Sequence, residues 1–175
     1  MDFLIQTSNP RYTGHHDAED QNLDEAIETS FPLETETAFL VWHHIPITLG
    51  YKYDISVIAA DLIEMLSKVL QEPIGSHEVE WPSNTFRARW KMNWNGDKLT
   101  IEADWKSVVG GLEAHLNACD NLRLSKKDFV SEWKEVLKRT FEGLEKNGYE
   151  THRIVGMEDL AQLIDKIPGA GVLYH

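Results

Sequence analysis

The strictest demand on the fold comes from residues 86–105. Phe86, Ala88, Trp90, Met92 and Trp94 alternate with Arg87, Arg89, Lys91 and Asn93; after Asn95-Gly96, Leu99, Ile101, Ala103 and Trp105 alternate with Lys98, Thr100, Glu102 and Asp104. A period of two sends apolar side chains to one face of a strand and polar ones to the other. Asn-Gly is the preferred two-residue type I′ turn, in which both central residues take positive φ. An antiparallel hairpin turning at Asn95-Gly96 is therefore predicted. That turn sets Phe86 opposite Trp105, Ala88 opposite Ala103, Trp90 opposite Ile101 and Met92 opposite Leu99, with Arg87 beside Asp104 and Arg89 beside Glu102 on the outer face. One face of such a ribbon must be covered, so the rest of the chain has to supply a partner layer.

Helices are the expected cover. Ser56 reads as an N-cap, and Val57, Ile58, Ala60, Leu62, Ile63, Met65, Leu66, Val69 and Leu70 form a wide apolar stripe that Pro73 and Gly75 end. The apolar face of the hairpin is expected to pack on it. Ser125 with Asp128 three residues on resembles a capping box, followed by Phe129, Trp133, Val136, Leu137, Phe141 and Leu144 at helical spacing until Asn147-Gly148. Met157–Ile167 reads as a further amphipathic helix ended by Pro168-Gly169. Residues 38–55 read as one long strand or a bent pair, with Pro46 and Gly50 at a bulge or edge, and Tyr149–Val155 and Val172–Tyr174 as short strands. Trp81, before Pro82, reads as a loop anchor, and 106–122 is open between helix and structured loop. The fold class is α+β: an antiparallel sheet, including the 86–105 hairpin, packed against amphipathic helices.

Charge divides the chain unevenly. Of 175 residues, 29 are acidic and 17 basic, a net −12; residues 1–36 alone hold nine acids and one base, a net −8. We therefore expect an acidic N-terminal arm, 1–36, on a single α+β domain, 37–175. Within the arm, Leu23, Ala26 and Ile27 can touch the body from a short amphipathic helix. A field of this sign repels polyphosphate and anionic lipid over roughly 10 Å and favours a cationic partner. The bases Arg87, Arg89 and Lys91 do not make a nucleic-acid surface, because the tryptophans needed for stacking lie on the opposite face. Neither nucleic acid nor membrane is an expected partner. The apolar run Ala38-Phe39-Leu40-Val41-Trp42 is far short of the ~20 residues that span a bilayer. Met1–Gln6 lacks a secretory pattern, and the lone Cys119 cannot form an internal disulfide, which together point to the cytoplasm.

No motif names a reaction. Cys119 is followed by Asp120, which disfavours a thiolate and suits a buried structural thiol. Gly110-Gly111 lacks the lysine and hydroxyl of a phosphate loop, and no G-x-S-x-G occurs. Eight histidines include the pairs His15-His16 and His43-His44, but no spacing with metal-binding meaning is present, and adjacent histidines in a strand point to opposite faces. A small metal-dependent hydrolase using the two pairs is the alternative to a binding protein; no cofactor is implied.

The segment Trp42-His43-His44-Ile45-Pro46-Ile47 through Tyr51-Lys52-Tyr53-Asp54-Ile55-Ser56 to Leu62-Ile63-Glu64-Met65-Leu66 resembles the strand–helix core of bacterial immunity proteins. Phe129-Val130-Ser131-Glu132-Trp133-Lys134 through Gly148-Tyr149 to Gly171-Val172-Leu173-Tyr174 is similar to them too. Such proteins are the cytoplasmic antidotes of polymorphic toxin and contact-dependent inhibition systems. The resemblance, covering about half the chain, implies a binder of a cognate toxin domain and carries no residue role by position. Charge nominates the contacts: a basic toxin would meet Asp17, Glu19, Asp20, Asp24, Glu25 and Glu28, then Glu102 and Asp104 on the outer face of the hairpin.

Overall fold

The computed structural model describes residues 2–168. Among them are five α-helices and two antiparallel sheets in a mixed α+β arrangement. The first sheet has the order β1 (Phe3–Gln6), β2 (Thr37–Trp42), β3 (Ile45–Gly50); the second runs β4 (Ile74–Pro82), β5 (Phe86–Asn95), β6 (Lys98–Val108), β7 (Asn121–Ser125). The helices are α1 (Leu23–Ser30), α2 (Ser56–Gln71), α3 (Glu113–Asn117), α4 (Lys126–Lys146) and α5 (Met157–Lys166).

The hairpin forms with the expected faces and a different register. Asn95 stays in β5 opposite Lys98, Met92 lies opposite Ile101 and Trp90 opposite Ala103. Gly96 and Asp97 make the turn, with Gly96 at φ +59 and Asp97 outside the left-handed region, the pattern of a type II′ turn. Tertiary bonds hold it there: Gly96 N–H donates to the Pro73 carbonyl at 2.8 Å, and Lys126 N–H to the Asp97 carbonyl at 2.8 Å. A slip of two residues leaves every side chain on its own face, so Phe86, Trp90, Met92, Trp94, Leu99, Ile101 and Trp105 are all buried while the partners change. Arg89 consequently faces Asp104, and a bulge at Arg87/Ala88 shifts Phe86 to Val108.

Trp81 is not in a loop. It belongs to β4, where Val79 and Trp81 turn inward and Glu78 and Glu80 outward, and it is fully buried. The aromatic face of the four-stranded sheet is met by Trp42 from β2, 5.6 Å from Trp90 and 5.3 Å from Trp105 between ring centroids, and by Trp133 from α4, stacked on Trp81 at 5.8 Å. The expected cover, α2, meets this sheet at β4 and otherwise packs on α1, α4 and α5. Its first residue, Ser56, is not an N-cap. A π-helical turn, Tyr51–Ile55, precedes it, and the Ser56 hydroxyl donates back to the Lys52 carbonyl. At the start of α4, Ser125 does cap, accepting from Asp128 N–H at 2.9 Å.

Of the strand or bent pair expected over 38–55, residues 38–50 form the hairpin β2–β3, whose two-residue turn is His43-His44, while Tyr51–Ile55 is the π-helical turn and not strand. Both take left-handed φ, 45° and 67°, the pattern of a type I′ turn in residues other than glycine. His43 Nε2 bonds the Asn121 carbonyl at 2.7 Å, docking this turn on the first residue of β7. Residues 106–122 divide between the end of β6, a turn at Gly110-Gly111, α3 and the start of β7. Tyr149–Val155 is a run of turns joined to Asn22 by a single bridge at Val155; the strand expected at Val172–Tyr174 lies outside the described residues.

The described part of the acidic stretch, 2–36, is woven into the body. It supplies β1, paired with β2, and α1, and its Phe3, Ile5, Leu23, Ala26, Ile27 and Phe31 are buried in the same core as the remainder. Phe31 sits so close to α4 that a Cβ at Gly143 would lie 2.4 Å from its ring, which is why a glycine stands within that continuous helix. At the free edge of β1, Ile5 N–H donates to the Glu132 carboxylate of α4 at 2.9 Å. Burial holds the Glu132 carboxyl above its ordinary range, partly offset by that bond. A folded-state pKa above the unfolded one gives stability that is present at low pH and lost as pH rises through the raised value. Glu132→Gln keeps an acceptor without the charge, so urea unfolding should show the variant gaining on the natural chain from pH 4 to pH 8. A constant difference between the two would mean the carboxylate titrates alike in both states.

Candidate functional site

Residues 17–28 lie along α1 and the loop before it, and the body fixes their path. Asp17 N–H donates to the Tyr149 hydroxyl at 3.1 Å, the same hydroxyl donates to the Asp20 carboxylate, and the Asp17 side chain accepts from Glu19 N–H at 2.9 Å. Burial, then the bond to Asp20, pushes the Tyr149 pKa up to about 12, so it remains a donor at neutral pH. Asn22 caps α1 by accepting from Glu25 N–H at 3.1 Å, while the Glu25 carboxylate accepts from Gln21 N–H at 2.8 Å. Further back, Gly14 N–H donates to Asn147 Oδ1 at 2.8 Å. The carboxylates of Asp17, Glu19, Asp24, Glu25 and Glu28 are exposed and that of Asp20 half-buried; none of the six is ion-paired among the described residues.

This stretch runs beside the 149–157 segment, with Val155 N–H donating to the Gln21 carbonyl at 2.9 Å. A recess lies on each side of the junction. One, of about 400 Å³, is lined by His16, Asp17, Asp20, Tyr149, Glu150 and Arg153, with Arg153 held by Glu150 at 3.0 Å. The other, of about 430 Å³, opens between α1, α2 and α5 and includes Asp24 and Asp159. Asp159 thus extends the acidic surface while Glu150 is offset by Arg153, and no local pattern in the sequence associates either with 17–28.

Glu102 and Asp104 occupy a different setting, the outer face of the four-stranded sheet. They share a shallow recess with Arg89, Lys91 and Asp120. The pairs expected there change with the register. Arg89 is engaged by Glu80 and, at 3.3 Å, by Glu78, both from β4, while Asp104 pairs with Lys106 at 2.6 Å. These exposed pairs are screened by solvent and contribute little stability. They do lower the net charge that this face offers a partner.

The histidine pairs do not meet. His15 bonds the Thr13 hydroxyl at 2.8 Å and His16 packs on the Tyr149 ring at 4.3 Å. His43 and His44 sit in a turn, not on opposite faces of a strand, and both rings approach Asp2 Oδ1, at 3.7 and 3.6 Å. Among the described residues no group of three or more His, Cys, Asp or Glu side chains is arranged to hold a metal ion. Cys119 is half-buried, its Sγ 3.3 Å from the His115 carbonyl, and burial followed by Asp120 raises its pKa, which disfavours a nucleophilic thiolate. No described helix is long and apolar enough to cross a membrane. Compared with family models, curated proteins and solved structures, the chain matches none.

Proposed function

We propose that this chain is a protein-binding antidote, an immunity protein that neutralises a cognate cationic toxin domain by forming a tight complex in the cytoplasm. One observation carries the reading: six carboxylates without an ion pair project from a stretch, 17–28, whose backbone is fixed by the Tyr149 hydroxyl and the Asn22 cap, with those of Asp17, Asp20 and Glu25 themselves held by Glu19 N–H, the Tyr149 hydroxyl and Gln21 N–H, and Asp159 continues this surface. A surface ordered before binding loses little entropy on docking, and a concentrated negative field speeds encounter with a basic partner. The resemblance to bacterial immunity proteins supports the same reading, and binding rather than catalysis is the role it assigns.

The test is co-purification with the product of the adjoining gene, followed by stopped-flow association. In the pair Glu19→Lys/Glu28→Lys, neither side chain makes a capping or tertiary bond in the structure, so the fold should be kept. The association rate constant should fall about 10-fold or more at low ionic strength, with a flatter salt dependence. Absence of a complex, or an association rate indifferent to these charges, would overturn the proposal.

A further inference from the structure

Steering by charge brings a partner close without saying what it grips. The recess between α1, α2 and α5 differs from the rest of the acidic surface in having an apolar lining. Leu23 and Ile63 form its floor, Ala60 and Val57 one wall, and Val155 the rim. Val57 is 39% exposed and Val155 74%, the latter the most exposed large aliphatic side chain among the described residues. Asp24 and Asp159 stand in the lining and no base does. Both lie in first helical turns, of α1 and α5, where the helix ends carry a partial positive charge of roughly half a unit each. Two full negative charges outweigh that, so the mouth is negative.

We infer that this recess seats an aliphatic or aromatic side chain of the partner, flanked by lysine or arginine residues that meet Asp24 and Asp159. The occupant follows from charge complementarity. A second copy of this chain, at net −12, would bring more carboxylates to a negative mouth, and an acidic segment would be repelled in the same way. The recess is also continuous with the steering surface, since Asn22 and Leu23 of its lining directly follow Asp17–Gln21. Apolar anchors in a well-fitted pocket set how long a complex lasts, whereas peripheral charges set how fast it forms.

This inference rests on the proposed antidote role, and the two can be separated kinetically with the product of the adjoining gene as probe. Ala60→Trp fills the recess, and Val155→Ser removes the exposed rim without touching the core. Each should accelerate dissociation, about 10-fold or more for Ala60→Trp, and leave the association rate within about twofold. Val155→Ser keeps the test open if the tryptophan disturbs α2, as judged by circular dichroism. If both variants dissociate like the natural chain while Glu19→Lys/Glu28→Lys slows association, the antidote reading stands and the recess is not the anchor. If the natural chain forms no complex, both fall.

Discussion

A chain beginning at residue 37 is expected to lose cooperative folding. Such a deletion removes β1 and α1, and with them the buried Phe3, Ile5, Leu23, Ile27 and Phe31. At about 1.5–3 kcal/mol for each large side chain taken out of water, that is on the order of 7–15 kcal/mol, comparable to the whole stability of an ordinary domain. The loss reaches further than the deleted residues. Tyr51 loses the ring of Phe31 stacked on it at 4.8 Å, α4 is left with an empty notch at Gly143, and β2 becomes an unprotected edge. Urea unfolding followed by circular dichroism should show no sigmoidal transition for 37–175, against a single one for the full chain. A cooperative transition in the truncated chain would show that 1–36 is a separable arm after all. On the expected outcome, the role of its charge has to be tested by substitution, as with Glu19 and Glu28, because deletion would confound affinity with folding.

How much of this was legible depended on whether the determining interaction was local. The faces of the 86–105 hairpin were readable because period-two alternation is a property of each strand alone. Its register was not, because the choice between Asn95-Gly96 and Gly96-Asp97 as the turn is helped by the Pro73 carbonyl and the start of α4. β4 carried a usable signal in Val79 and Trp81 alternating with Glu78 and Glu80, obscured by Pro73, Gly75 and Pro82 around it. β1 had no such marker: Phe3-Leu4-Ile5 is a continuous apolar run too short to show a period. The His43-His44 turn had no comparable marker, since left-handed φ is uncommon for residues other than glycine. As for the site, the acids of 17–28 stood out by composition. Their junction with Glu150, Val155 and Asp159 is made by contacts between residues more than a hundred positions apart, which no local pattern encodes.

Replacing Trp42 by alanine is the point substitution with the largest expected cost. Its indole is fully buried between the two sheets, touching the rings of Trp90 and Trp105, and its Nε1–H donates to the Cys119 carbonyl at 2.7 Å. The indole N–H groups of Trp81, Trp90, Trp105 and Trp133 make no hydrogen bond, so those residues act through ring packing alone. Trp42 both fills space and satisfies a carbonyl. Truncating a buried aromatic to alanine costs about 3–5 kcal/mol, equivalent to a fall in Tm of about 6–20 °C for a chain of this size. Trp42→Phe separates the two contributions. It keeps an aromatic ring between the sheets but leaves the Cys119 carbonyl without its donor, an expected loss of about 1–3 kcal/mol. If Trp42→Phe costs as much as Trp42→Ala, the bond to Cys119 and the docking of the β2–β3 turn on the start of β7 hold the sheets together. A cost below about 1 kcal/mol for alanine would instead mean that α4, through Trp133 on Trp81 and Phe129 on Phe3, suffices to join the two sheets.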